Sequence, residues 1–209
     1  MKILTEFEKQ ATKTDFSLSY SVKLTLFTFL NSALLPLFSE YIVDETDAGY
    51  KILISNMVMK FLVNAFVTPI MWTINFGFFW KKFQIFFIER KIKNEENLSE
   101  EEKTFDKNQK ELNELYELHP MNVELKYSYI FKTLLMTMFY LPIFPFGVVI
   151  SLLGLILSYF LEKYNVTHNY KRPEMLNAKL GKFYFNFFIC ILLSYCLGNY
   201  IFMEDIFYK

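Results

Sequence analysis

Long apolar runs alternate with short charged stretches along this chain, at the lengths a bilayer demands. A helical crossing needs about 20 consecutive apolar residues, whereas a soluble helix mixes apolar and polar positions at a period near 3.6. Five such runs can be read. The first covers residues 22–43, with Lys23 at its start, Pro36 near its later end and Asp44, Glu45 and Asp47 around its close; a kink is expected at the proline. The second covers residues 52–80, is interrupted by Pro69, and ends on Trp80 with Lys81 and Lys82. An aromatic beside paired lysines reads as an interfacial anchor. The third and fourth, residues 127–141 and 146–161, are separated by Pro142-Ile143-Phe144-Pro145. Two prolines at that spacing favour a turn over a helix interior. An unbroken helix across both runs would be about 52 Å long at helical rise, too long for a hydrocarbon core of about 30 Å. The fifth run covers residues 183–203.

The polar intervals carry weaker signals. Residues 83–93 are expected to continue as helix along the membrane surface. Residues 94–118 are rich in Glu and Lys, and Leu112, Leu115, Tyr116 and Leu118 recur there at helical spacing. A short amphipathic helix is expected, stopped by His119-Pro120, and it is too small to fold as a domain alone. Residues 163–182 form a basic loop containing Arg172-Pro173.

The pattern therefore predicts an all-α fold, a polytopic transmembrane helix bundle with about five membrane-spanning helices. Residues 1–21 form a cytoplasmic N-terminal segment and residues 22–80 the first two helices. A cytoplasmic amphipathic, charged loop follows at 81–126. Residues 127–203 form the other three helices, with the hairpin tip at 142–145, and residues 204–209 an extracytoplasmic tail. The orientation follows from the basic residues. With the N-terminus inside, Lys51 and Lys209 are outer, Lys60 and Lys132 lie within helices, and the rest of the 22 lysines and arginines fall on the inner side, as the positive-inside rule requires. The sequons at Asn97 and Asn165 then lie on the cytoplasmic side and should carry no glycan.

Composition sharpens this picture. The 209 residues are 53% hydrophobic and 20% aromatic, with 25 Phe and 14 Tyr, and the formal net charge is zero. Lysines interleave with glutamates in the longest loop, so no basic stripe offers a surface to nucleic acid. The first 20 residues are polar, without the apolar core and cleavage site of a signal peptide, so insertion is expected to rely on the first helix. Cys190 and Cys196 point in different directions on one helix, which disfavours an intrahelical disulfide. His119 and His168 lie in loops without metal-ligand spacing. No paired-His motif, CxxC or GxGxxG is present, and no cluster of intramembrane carboxylates suggests a calcium or proton site. No catalytic residues, cofactor or metal are expected, and the chain does not read as an enzyme.

Polar residues inside the membrane are the functional candidates, because each is costly there. On the second helix Asn56, Lys60 and Asn64 share one face at i, i+4, i+8 and Thr68 extends the stripe, with Asn75 further on. The stripe reads either as pore lining or as interhelical glue with a snorkelling lysine. Lys132 reads as snorkelling or as an ion-pair partner of Glu162. Asn31 and Asn186 read as interhelical glue. Gly147, Ser151, Gly154 and Ser158 form a small-residue face on the fourth helix, for close packing or for bending.

From Leu118 the chain reads LHPMNVELKYSYIFKTLLMTMFYLPIFPFGVVISLLGLILSYFLEKYNVTHNYKRPE. With Tyr140 before a proline-rich tip, Pro145, the helix through Gly147 and Gly154, and Tyr159 followed by Lys163-Tyr164-Asn165 and Arg172-Pro173, this stretch resembles the core of the OSCA family. Those are osmotically and mechanically gated, calcium-permeable cation channels within the wider anoctamin and TMC-like superfamily. Asn31 and Gly49 are similar to that family's preceding helix pair. The resemblance implies a pore region gated by membrane tension, with the fourth helix as a bending pore helix and Pro145, Gly147 and Gly154 as its hinge. On that reading Asn56, Lys60, Asn64, Thr68 and Ser151 are the pore-lining candidates. Family members are several times longer, so the chain is expected to be a fragment, a truncated relative, or a subunit completed by partners. Expected partners are membrane lipids, further copies of the chain or additional transmembrane subunits, and no nucleic acid. A non-conducting accessory subunit and a lipid scramblase are the alternatives; a scramblase needs a hydrophilic groove open to lipid.

Overall fold

A computed structural model describes residues 5, 7–10, 12–38, 47–74, 80–81, 83–87, 90, 117, 119–171 and 179–208 of the chain. The chain divides into two compact units, one of residues 1–69, 122–159 and 174–209, the other of residues 70–121 and 160–173. The architecture is helical, as the apolar pattern predicts.

Helix α1 (Lys13–Phe29) starts earlier than the apolar run because Thr12 caps it. The Thr12 hydroxyl accepts from the Asp15 N–H at 3.2 Å and donates to the Asp15 carboxylate at 2.8 Å, satisfying donors that a helix start leaves open. Its buried stripe is polar: Ser17, Ser21 and Thr25. Ser17 donates to Glu124 at 2.5 Å, and Thr25 bonds back to the Ser21 carbonyl at 2.7 Å. The segment before α1 folds against it through Glu8, which takes hydrogen bonds from Lys23, from Ser19 at 2.8 Å and from Gln10 at 3.1 Å. Lys23 first, then the two neutral donors, hold the Glu8 carboxyl down at about 2.

The chain continues from α1 into a π-helical turn, π1 (Leu30–Leu34). Helix α2 (Asp47–Leu62) likewise runs into π2 (Val63–Val67) and then α3 (Thr68–Ile74). Pro69 therefore does not interrupt the second run. The π turn in front of it already shifts the backbone hydrogen bonds, so the missing proline N–H is absorbed and the helix carries on.

Helix α4 (Val123–Tyr140) is the inner helix of the first unit. Nine of its residues are buried, from Ser128 to Tyr140, and its most extensive contacts are with α1 and with α6 (Lys179–Tyr208). Between α4 and α5 (Phe146–His168) lies the turn expected at 142–145. The Tyr140 carbonyl accepts from the Ile143 and Phe144 N–H groups at 3.2 and 2.9 Å. Helix α5 outruns the predicted end at 161 because residues beyond it stay helical although they are charged. One apolar core gathers Ala33, Leu37, Leu53, Met57, Phe61, Met136, Phe139, Tyr140 and Phe202. A second holds Phe131, Leu135, Tyr184, Phe187 and Ile191, with the Phe131 and Tyr184 rings stacked at 4.5 Å.

Among the described residues three helical spans are long and apolar enough to cross a membrane: Lys51–Ile74, Phe146–His168 and Gly181–Met203. Helix α4, the third expected crossing, falls outside this set because Glu124, Lys126 and Lys132 are among its residues. Its position explains the composition: a helix surrounded by other helices can carry polar groups that bond across to them. The outward faces of α5 and α6 are apolar, with Phe146, Leu152, Phe185, Ile189 and Leu192 exposed, as lipid contact requires.

In the second unit the backbone at β1 (His119–Pro120) pairs in parallel with β2 (Tyr170–Lys171). Lys171 bridges to Glu117 at 2.6 Å, and Lys81 donates to the Glu117 carbonyl at 3.2 Å. Lys171 holds the Glu117 carboxyl below its usual range. Burial, then the charge of Glu162, pushes the Tyr170 hydroxyl above its own. Asn165 is buried and donates to Thr73 at 3.2 Å. The amphipathic helix expected at 94–118, with Leu112, Leu115, Tyr116 and Leu118, lies outside the described residues, as do Asn75, Asn97 and Arg172-Pro173.

Candidate functional site

A cavity of about 500 Å³ opens in the first unit, lined by Asn31, Ser32, Met59, Lys60, Val63, Asn64, Thr68, Lys132 and Met136. Its size lies within the ~300–1,000 Å³ typical of small-molecule sites. Its walls are π1, the α2–π2–α3 helix and α4. Around it Leu30, Leu62, Val67 and Met59 are exposed apolar residues. A mostly apolar hollow that carries two lysines and two asparagines thus lies beside exposed apolar residues.

The stripe expected on the second helix contributes Lys60, Asn64 and Thr68 to this lining. Asn56, one turn earlier, is exposed and lies outside it. Ser151 also lies outside: it is buried, and its hydroxyl shares a hydrogen bond of 2.7 Å with Thr137. The hinge candidates are tightly placed. A methyl group on Gly154 would stand 2.6 Å from Ala65 Cα and Cβ, and one on Gly147 would stand 2.9 Å from the Phe144 ring. The small-residue face therefore serves close packing, and Pro145 sits exposed immediately before α5.

Asn64 is the hub of the wall. Its side-chain amide donates to the Thr133 hydroxyl at 2.8 Å and its Oδ1 accepts from Lys132 Nζ. Its backbone carbonyl accepts from the Tyr129 hydroxyl at 2.7 Å. Lys132 Nζ also lies 5.5 Å from the centre of the Tyr129 ring, a cation–π contact. Asn64 thus fixes the second lysine of the cavity. Glu162, the expected partner of Lys132, belongs to the second compact unit.

The π turns explain why a tyrosine is needed. In π2 the Thr68 N–H bonds the Val63 carbonyl, five residues back. The Asn64 carbonyl therefore loses its α-helical donor, and its π-helical donor would be residue 69, a proline without an N–H. Tyr129 supplies the missing hydrogen bond. In π1 the Leu35 N–H bonds the Leu30 carbonyl, and Pro36 stands where the donor to Asn31 would be. Here the second α4 tyrosine, Tyr140, donates to the Ala33 carbonyl at 2.6 Å.

Asn31, Ser32 and Lys132 are lining residues that the sequence reading assigned to glue or snorkelling or passed over. A signal for Asn31 exists. Leu30-Asn31-Ser32-Ala33-Leu34-Leu35-Pro36 and Val63-Asn64-Ala65-Phe66-Val67-Thr68-Pro69 share an Asn at the second place and a Pro at the seventh. Each is a π turn, and each asparagine faces the same cavity.

A family profile described as "Anoctamin: Calcium-activated chloride channel" matches residues 1–203. Comparison with curated proteins and with solved structures gives no match. The match agrees with the wider superfamily that the sequence resemblance names and does not extend to OSCA channels specifically. The calcium in that description finds no fit here: no carboxylate lines the cavity, and among the described residues no group of three or more His, Cys, Asp or Glu could hold a metal ion. A match over nearly the whole chain, on a helical multi-span framework, makes this protein a member of the anoctamin family.

Proposed function

We propose that the cavity is a path for phospholipid headgroups and that the chain is a scramblase-type member of its family. The observation that carries this reading is a hollow with Lys60, Lys132, Asn31 and Asn64 on an otherwise apolar wall, beside exposed apolar residues. A headgroup phosphate is excluded from hydrocarbon by the cost of desolvating its charge. Lysine ammonium groups and asparagine amides offer it substitute hydrogen bonds, while an opening on the lipid side leaves the acyl tails in the bilayer. The chemistry is positioning and charge compensation only.

An anion channel is the second reading, favoured by the same two lysines. The calcium-permeable, tension-gated cation path implied by the OSCA resemblance fits the lining less well. Two ammonium groups repel a cation, and the described lining holds no carboxylate.

The test is reconstitution of the purified chain in vesicles. Dithionite bleaching of tail-labelled lipid reads headgroup transfer, and halide and calcium fluxes are measured alongside, with and without osmotic stretch. Lipid transfer that falls about tenfold or more in Lys60→Met, as loss of one charge-assisted contact would give, supports the proposal. Halide flux without lipid transfer selects the channel. Stretch-dependent calcium flux without lipid transfer returns the cation path, and silence in all three from folded protein selects the accessory-subunit alternative.

A further inference from the structure

The two π turns repeat one motif, and their asparagines are used differently. Asn64 is fully engaged, with its Oδ1 on Lys132, its amide N–H on Thr133 and its carbonyl on Tyr129. Asn31 occupies the same place in π1 and also lines the cavity. Among the described residues its side-chain amide has no hydrogen-bond partner. Its carbonyl has lost both helical donors, because Leu35 bonds Leu30 and residue 36 is a proline. The neighbouring Ser32 hydroxyl gives its proton to the Thr28 carbonyl at 2.7 Å, and Thr68 gives its own to the Val63 carbonyl at 3.3 Å. Asn31, itself exposed, thus brings an open side-chain acceptor oxygen to a cavity that also holds Lys60 and Lys132.

We infer that Asn31 is a specificity residue that accepts hydrogen bonds from a primary ammonium, so that the cavity prefers a phosphoethanolamine headgroup to a phosphocholine one. This rests on the headgroup reading proposed above. Lys60 and Lys132 donate to the phosphate, and an ammonium N–H donates to Asn31 Oδ1. A quaternary ammonium has no N–H, so it leaves Oδ1 without that donor. Sites built to hydrogen-bond a group discriminate strongly against analogues that lack it.

The experiment measures binding apart from transport. Detergent-solubilised protein is titrated with dihexanoyl-phosphatidylethanolamine and dihexanoyl-phosphatidylcholine, read by native mass spectrometry, with O-phosphoethanolamine as a third probe. The expected result is a preference of roughly fivefold for the ethanolamine lipid, the worth of about one hydrogen bond. That preference is lost in Asn31→Leu and kept or increased in Asn31→Asp, which retains the size and the acceptors. Binding of O-phosphoethanolamine itself assigns the preference to the headgroup alone, whereas binding of only the lipid adds a need for tails; both outcomes carry the ammonium preference. Equal binding of the two lipids by the wild-type chain, or an unchanged ratio in both variants, overturns the inference. An intact preference in a chain that transfers no lipid overturns the transport reading and leaves the Asn31 site standing.

Discussion

Asn64 joins π2 to α4 through three hydrogen bonds, two from its side chain and one at its carbonyl. Asn64→Leu keeps the volume and removes two of them, leaving the Lys132 ammonium without that acceptor in the wall. Losing such partners costs about 1–3 kcal/mol, so the unfolding midpoint in detergent should fall measurably. The glycines give a sharper contrast. A methyl on Gly198 would collide with the Phe139 carbonyl and one on Gly154 with Ala65, whereas one on Gly181 meets nothing within 4 Å. Gly181→Ala should therefore stabilise by up to about 1 kcal/mol through helix propensity. Gly154→Ala and Gly198→Ala should each destabilise by about 1–3 kcal/mol, as overpacking does. Equal effects at all three positions in thermal unfolding would contradict the close approaches. At this scale the sequence was partly legible. The Lys60, Asn64 and Thr68 stripe was visible because one helix carries it at a regular spacing. Asn31 and Lys132 stand out as polar residues within the membrane, but their place in one cavity comes only from packing between helices.

At the scale of elements, the hairpin tip could be read because two prolines mark it, and three of the five expected crossings recur among the described residues as spans long and apolar enough for a membrane. The early start of α1 lay in the Thr12–Asp15 cap, a signal outside the apolar run. The π turns escaped because proline alone predicts a kink and not which carbonyl loses its donor. Their logic is testable by a double-mutant cycle. Tyr129→Phe should cost about 1 kcal/mol by leaving the Asn64 carbonyl open. In a Pro69→Ala background the new N–H lies five residues after Asn64 and can take that place, so the same substitution should cost less. Strictly additive effects in chemical unfolding would show that the tyrosine does not serve that carbonyl. The β1–β2 pairing carries a pH signature. The Glu117 carboxyl is lowered by Lys171, so its contribution is complete above the unfolded carboxylate value of about 4.3 and fades as pH falls through the lower folded value. Intrinsic-rate-corrected hydrogen exchange at Tyr170 and Lys171 should lose protection on acidification in the wild type. In Glu117→Gln it should be weaker at neutral pH and flat.

At the largest scale, the first unit exposes the apolar faces of α6 and of the start of α5 and buries the more polar α4. The distribution of lysine and arginine predicts a cytoplasmic N-terminus. A single cysteine at Ser19 in a Cys190→Ser, Cys196→Ser background should then react with an impermeant maleimide only after the cytoplasmic face is opened. Reaction from outside would reverse the topology. The family was within reach of the sequence at the level of the superfamily, through the resemblance carried by the proline-rich tip and the glycine helix. What passes through the chain was not, since charge on a cavity wall depends on which helices meet there.

The central claim is that the Lys60–Lys132 cavity is the path itself. It is tested most directly by plugging it. In the cysteine-free background, Val63→Cys lines the cavity, while Leu152→Cys lies on the exposed face of α5. Both are treated with a bulky methanethiosulfonate reagent in vesicles, and lipid transfer is followed by dithionite bleaching. Modification at residue 63 should stop transfer, and modification at residue 152 should leave it unchanged. Transfer that persists with residue 63 fully modified, shown by mass, would contradict it.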